Sequence, residues 1–329
     1  MPKHVVSFIP SPPVNGFYVG PLFFHFYGLM YVIGITLAII ITRRRWQAVG
    51  GNPDLVYEVA LWAVPAGLIG ARIYFDITTP NDIPPHWWGV FAIWSGGLGI
   101  WGGIAAGAAA GIWRVRRAGQ DAGQFANAIA PALLVAQAVG RIGNYFNQEL
   151  FGKPTTLPWG LQISLAHRPA SYLAYATFQP TFLYELIWDL ALAALLVWIG
   201  HHRRIRPWGL FALYVAGYSA FRIFEETVRI DSSEHFLGLR LNFYVATIMT
   251  IVGLAWFIRA QRRPVAEALS DPPGGGETRR ADGDAPAEDG VPADESGAAG
   301  ESGPAADSGP TPDTGPTADS EPAARGRES

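Results

Sequence analysis

Residues 22–42 read LFFHFYGLMYVIGITLAIIIT, and Arg43, Arg44 and Arg45 follow at once. A membrane-crossing helix needs about 20 mostly apolar residues. This run contains no Asp, Glu, Lys or Arg, and the arginine triplet marks one end of it as polar. Six further stretches have similar length and character: Leu55–Phe75, Phe91–Trp113, Phe125–Phe146, Phe182–Gly200, Trp208–Val228 and Leu241–Ile258. The fourth and sixth of the seven carry polar residues, which is where intramembrane function is expected, because charge there is costly. The expected fold is an all-α polytopic membrane protein of about seven transmembrane helices. A small extracytoplasmic element and a disordered C-terminal tail complete it.

Composition agrees. The chain of 329 residues is 50% hydrophobic and only 16% charged, below the roughly 25% of soluble domains. Its formal net charge of −3 hides an asymmetry. From Pro264 onward there are 15 Asp and Glu against 4 Lys and Arg, which leaves 12 acids and 20 bases before that point. A basic membrane body attracts anionic lipid. The Gly-, Pro- and acid-rich tail buries too little apolar area to offset ordering entropy. Three segments are therefore expected: 1–21 outside the membrane, 22–263 as the seven-helix body, and 264–329 as a disordered acidic cytoplasmic tail. Residues 1–20 lack the apolar core and cleavage site of a signal peptide, so the first span is read as retained. With no cysteine, a disulfide, a thiolate metal site and an enzyme-borne thiol nucleophile are all excluded.

Orientation follows from the basic loops. Arginines follow the first, third, fifth and seventh spans: Arg43–Arg45, then Arg114, Arg116 and Arg117, then Arg203, Arg204 and Arg206, then Arg259, Arg262 and Arg263. The alternate loops carry few bases. The N-terminus is thus expected outside and the C-terminus inside. Trp87, Trp88 and Trp94 fall at the outer boundary and Trp113 and Trp208 near the inner one, as an interfacial aromatic belt does. The loop Asn147–Thr181 is long and aromatic, and a folded outer element with short strands is expected there.

The sharpest motif is Gly140-Arg141-Ile142-Gly143-Asn144-Tyr145-Phe146-Asn147-Gln148-Glu149, then Gly152, at the outer end of the fourth span. If the helix continues, Arg141, Asn144 and Gln148 share a face. A lone arginine would be read as snorkelling to the interface, but the clustered amides and carboxylate favour function. In the sixth span Arg222 and Glu226 are spaced to pair, with Arg229 and Asp231 beyond. Whether that pair is functional or only neutralises two costly charges stays open. Tyr27-Gly28 opens the first span, and Arg72 and Asp76 close the second. In Trp94–Gly103, the glycines at 103, 107 and 111 have helix-packing spacing, while Gly96 and Gly97 leave room for a lipid chain. Arg141, Glu149, Arg222, Glu226, Tyr27 and Trp101 all fall toward one leaflet, which suggests one cavity. Two arginines in it suit a phosphate, since guanidinium binds phosphate bidentately.

From Phe24 to Ile258 these residues resemble the prolipoprotein diacylglyceryl transferase family. Gly140–Glu149 looks like its signature, and Tyr27-Gly28, Gly96-Gly97, Leu183-Tyr184-Glu185 and the Arg222/Glu226 pair recur in order. The resemblance implies a multi-pass protein of the bacterial plasma membrane. It implies phosphatidylglycerol as donor and a lipobox cysteine of a preprolipoprotein as acceptor, giving a thioether and glycerol-1-phosphate. Members often carry histidine where Trp101 stands, and His-Pro where Gln179-Pro180 precedes the Leu-Tyr-Glu motif, so in this chain that histidine's acid–base role is dispensable or held elsewhere.

The expected catalytic residues are Arg141, Glu149, Arg222 and Glu226. Tyr27, Arg141, Asn144, Arg222, Gly96, Gly97 and Trp101 are expected to bind phosphatidylglycerol. Arg141 and Arg222 would stabilise charge on the departing phosphate. Glu226 or Glu149 would take the thiol proton, or only orient an arginine. No cofactor, metal or nucleic-acid partner is expected. A phospholipid transporter or flippase is the alternative reading, and a non-catalytic scaffold the third. A transporter favours a midplane site and symmetry between halves, neither of which the sequence displays.

Overall fold

The computed structural model describes residues 8–93, 96–231 and 235–262. The tail from Pro264 and Trp94 lie outside these residues. Each apolar run forms a helix: α1 Phe26–Ala48, α2 Asp54–Thr78, α3 Ile100–Arg117, α4 Ala122–Asn147, α5 Thr181–His202, α6 Gly209–Val228 and α7 Leu241–Arg262. Five of them (α1, α2, α4, α5 and α7) are long and apolar enough to cross a membrane. The other two concentrate charge, with Arg114, Arg116 and Arg117 in α3 and Arg222, Glu225 and Glu226 in α6. The fourth run stays apolar enough despite its polar residues.

Two helix starts differ from the sequence reading. Leu22–His25 is strand β2, paired antiparallel with β1 (Gly16–Val19) across a turn at Gly20, whose φ is 59°. Helix α1 therefore opens at Phe26. Helix α3 opens at Ile100 rather than Phe91, because Gly96 and Gly97 adopt φ of 85° and 76°, left-handed backbone that ends a right-handed helix.

Packing follows the small residues. Helices α2 and α3 lie backbone to backbone: a Cβ at Gly70 would come 2.6 Å from the Gly102 carbonyl, and one at Gly103 3.3 Å from the Gly67 carbonyl. The expected glycine spacing on α3 thus meets a matching face on α2. Helix α1 approaches α4 closely where Gly34 faces Ala136. Trp46, Leu55, Val56, Val59, Val115, Ala122 and Phe125 form a buried cluster that joins α1 to α4 beside the arginine-rich ends of α1 and α3. A second cluster, with Ala130, Leu134, Leu192, Leu196 and Leu210, joins α4, α5 and α6.

At that end Asp121 caps α4, its carboxylate accepting from the Gly123 and Gln124 amides at 2.6 and 3.2 Å. Outward-facing side chains such as Leu61, Ile69 and Ile77 on α2 and Ile248 and Ile251 on α7 are exposed. Apolar exposure on this scale marks a surface meant for an apolar solvent.

The long loop after α4 folds on a core of Phe151, Leu161, Ile163 and Phe178. Strands β3 (Leu161–Gln162) and β4 (Thr177–Phe178) pair antiparallel within it. A bridge from Gly152 to Arg229 ties it to the end of α6. The last pair, β5 (His235–Phe236) and β6 (Leu239–Arg240), leads directly into α7.

Candidate functional site

Helix α4 ends at Asn147, and Gln148 caps it in the left-handed region with φ 52°. Gln148 therefore leaves the face that Arg141 and Asn144 share. Its carboxamide instead accepts from the Ser164 amide at 2.8 Å, out in the loop. The reversal brings Glu149 back under the helix: its amide donates to the Asn144 carbonyl at 3.2 Å, and its carboxylate accepts from Asn144 Nδ2 at 2.7 Å. Asn144 Oδ1 accepts in turn from Arg141 Nη1 at 3.2 Å. Three of the expected site residues thus form one connected unit.

A carboxylate from α5 joins this unit to α6. Glu185 is fully buried. Its Oε1 accepts from Arg141 Nη2 at 2.6 Å and from the Tyr218 hydroxyl at 3.0 Å, and its Oε2 lies 3.8 Å from Arg222 Nη1. Arg222 forks onto two carboxylates, Glu225 and Glu226, at 2.5 Å each. Glu226 Oε2 accepts from Arg240 Nε at 2.7 Å, Arg240 reaches Asp231 at 3.0 Å, and Asp231 accepts from Arg229 at 2.6 Å. Arginines and carboxylates alternate along the whole chain of contacts. Charges out of water survive only with partners this close.

Asp231 lies beyond the last residue of α6. Burial pushes its carboxyl up, but the hydrogen bonds and charges of Arg229 and Arg240 outweigh burial and hold it below the ordinary range. A carboxylate depressed in the folded state contributes stability that is present above its unfolded value, about 3.9. That contribution is lost as pH falls through the lower folded value. The thermal midpoint of the detergent-solubilised protein is expected to fall across this window. Asp231→Asn should flatten that part of the profile. An unchanged profile in the variant would remove Asp231 from the account.

Tyr27 packs its ring on α4: a Cβ at Gly143 would lie 2.5 Å from it. Its hydroxyl bonds that of Tyr31 at 3.0 Å. Gly96 and Gly97 serve Arg72 instead. Their carbonyls accept from its Nη1 at 2.8 and 3.2 Å, while Gly89 and Val90 accept at 2.7 and 2.9 Å and Asp76 pairs at 3.0 Å. Trp101 is half exposed at the start of α3. Among the described residues no hydrogen bond or ion pair joins Gly96, Gly97 or Trp101 to the Arg141 cluster. A recess of about 430 Å³ abuts Phe146 and Gln148, walled by Pro12, Pro13, Tyr18, Phe23 and His167.

The sequence reading named Glu185 only within a motif and passed over Tyr218, Glu225 and Arg240. A carboxylate inside an otherwise apolar helix is itself a signal, and it was available for Glu185. Glu225 was hidden because spacing selects Glu226 equally well, at four residues rather than three from Arg222. The pairing of Arg240 depends on the fold of the α6–α7 connection.

A sequence profile described as prolipoprotein diacylglyceryl transferase matches residues 15–259. The chain is 46% identical over 269 residues to a phosphatidylglycerol–prolipoprotein diacylglyceryl transferase of Frankia alni, covering 81% of this chain and 71% of that one. It is 47% identical over 259 residues to the enzyme of that name from Cutibacterium acnes, covering 78% and 87%. With a Streptomyces coelicolor enzyme of that name, numbered 2, identity is 41% over 293 residues, covering 87% and 92%. Matches of this length over the body that holds α1 to α7 leave one assignment: the chain belongs to the prolipoprotein diacylglyceryl transferase family and is a multi-pass membrane enzyme of lipoprotein maturation.

Proposed function

We propose that this enzyme transfers the diacylglyceryl group of phosphatidylglycerol to the thiol of a lipobox cysteine in a preprolipoprotein. The observation that carries the proposal is the convergence of Arg141 and Arg222 on one buried carboxylate, Glu185, beside Asn144 and Glu149. The acceptor sulfur forms a bond to the glycerol carbon of the lipid as the carbon–oxygen bond to phosphate breaks. The thiol hydrogen leaves as a proton and glycerol-1-phosphate departs. A free thiol with pKa about 8.5 supplies some thiolate at neutral pH.

Negative charge grows on the phosphate as it leaves, and fixed guanidinium groups stabilise that change most where water is excluded. Arg141 and Arg222 are assigned this role. Asn144 and Tyr27 would hold lipid hydroxyls or phosphate oxygens, and Gly96, Gly97 and Trp101 would line the path of the acyl chains. Glu149 or Glu226 would accept the thiol proton. Because Glu226 already meets two arginines while Glu149 meets only amides, Glu149 is favoured as acceptor. The transporter alternative finds no support among the relatives, since those cited are named as transferases.

The same reading places all seven helices across the plasma membrane, with the N-terminal segment 1–21 and the loop after α4 outside. The body spans 22–263, and the acidic stretch 264–329 lies in the cytoplasm. Its support is the alternation of arginine-rich connections along the sequence.

The test is a thioether-forming assay with purified enzyme, phosphatidylglycerol and a lipobox peptide, followed by peptide mass. A diacylglyceryl gain that requires the peptide cysteine is expected. Well-folded enzyme that yields none, yet moves lipid across liposomes, would return the transporter reading.

Gly140 offers a sharper probe of where the lipid lies. It shares the α4 face of Asn144, and a Cβ there meets nothing within 4 Å. Gly140→Leu should raise helix stability by up to about 1 kcal/mol while lowering transfer by tenfold or more, since about 1.4 kcal/mol of lost transition-state binding suffices. Full activity in that variant would place the lipid elsewhere.

A further inference from the structure

The polar residues of α4, α5 and α6 form two layers one helical turn apart. In the first, Arg141, Glu185 and Tyr218 bond one another. In the second stand Gln137, Asp189 and Tyr214, four residues from each of those. The second layer is incompletely satisfied. Asp189 is fully buried and neither carboxylate oxygen has a hydrogen-bond partner. Directly above it on the same face of α5, Glu185 Oε2 also lacks one. Two carboxyl groups with orphaned oxygens, one helical turn apart in a dry site, are costly as a pair of anions. One hydrogen on Asp189 reaching Glu185 Oε2 would satisfy an oxygen of each.

The charge inventory points the same way. Six carboxyl groups (Glu149, Glu185, Asp189, Glu225, Glu226 and Asp231) stand against four guanidinium groups, on Arg141, Arg222, Arg229 and Arg240. A site meant to receive an anionic phosphate would carry an excess of negative charge if every acid were ionised. Five of the six accept from an arginine or an amide. Asp189 accepts from neither. The charged and titratable groups whose fields reach it are Glu185 on its own helix, Arg141 on α4, and Tyr214, Arg222 and Glu225 on α6, and the Gln137 amide on α4 bonds Tyr214 beside it. Of these acceptors Glu185 is the strongest orphan, because a hydrogen bond to a carboxylate exceeds one to an amide.

We propose that Asp189 is a neutral carboxylic acid that donates its hydrogen to Glu185 Oε2, and that this bond fixes Glu185 as the bridge between Arg141 and Arg222. Asp189 is then a positioning residue: it touches no substrate and acts through Glu185. The role in transfer rests on the function proposed above, whereas the hydrogen on Asp189 does not.

Infrared spectra of purified wild type and Asp189→Asn in detergent separate the two. The wild type should show a carboxylic-acid C=O stretch that the variant lacks. A wild-type spectrum without that band overturns the proposal, whatever the activity. In the thioether assay Asp189→Asn keeps a donor toward Glu185 and should stay within about threefold of wild type. Asp189→Leu matches the volume without a donor and should lose roughly tenfold or more, as the loss of a hydrogen bond to a charged group implies. Equal loss in both folded variants also overturns it. An inactive wild type that retains the band would sink the transferase reading and leave the protonated Asp189 standing.

Discussion

Arg141→Ala is expected to lower thioether formation by roughly 10²–10³-fold, the scale on which a single preorganised donor to developing charge acts. The same change should cost up to about 3–5 kcal/mol of stability, because it strips a buried carboxylate of its closest cation. That carboxylate is Glu185, which has no exposed surface and a 2.6 Å contact to Arg141. The two effects separate in the double variant Arg141→Ala/Glu185→Gln. Removing the stranded charge should recover much of the thermal midpoint and none of the transfer. Arg141→Lys should behave as an intermediate, since ammonium keeps the charge but not the fork that reaches Asn144, Glu185 and Tyr218 together. If the double variant regained transfer, Arg141 would be an ion-pair partner and nothing more.

A second large effect on stability is expected at Arg240. Its guanidinium meets Glu226 at 2.7 Å and Asp231 at 3.0 Å, and also donates to the Asp231 carbonyl at 2.9 Å. It stands one residue before α7 and so fastens the start of that helix to the end of α6. Arg240→Leu removes one of two arginine partners from each of two carboxylates, Glu226 keeping Arg222 and Asp231 keeping Arg229, a loss of up to about 3–5 kcal/mol for the buried pair with Glu226. The thermal midpoint should drop on the order of 10 °C, read by circular dichroism in detergent. Added phosphatidylglycerol should recover part of the drop if the lipid binds only the folded state. An unchanged midpoint would mean that water replaces the guanidinium at this position.

Hydrophobic runs made the helices legible, since a stretch such as Val32–Thr42 has no other way to satisfy its backbone in lipid. Boundaries were legible only where charge or a cap marks them. Nothing in the composition of Leu22–His25 separates strand from helix, and the glycines that delay α3, Gly96 and Gly97, were read as room for a lipid chain. In the site, Arg141, Asn144 and Glu149 stood out because they are local. Glu185 meets Arg141 across 44 positions and Tyr218 across 33, and such contacts follow from the packing of α4, α5 and α6 together. Gly96, Gly97 and Trp101 were expected to bind the lipid, and among the described residues no hydrogen bond or ion pair joins them to the Arg141 cluster. Arg72 takes the carbonyls of both glycines, and the double glycine reads as a backbone solution to a buried guanidinium.

The backbone-to-backbone seam between α2 and α3 has a mechanical meaning. With glycines at 67, 70, 102, 103 and 107 in the contact, few rotatable side chains lie between the two helices to yield or repack. Shearing one past the other would drive carbonyls into Cα atoms, so the pair behaves as a single stiff plank. Any widening of the body is then expected where the plank meets its neighbours rather than along the seam.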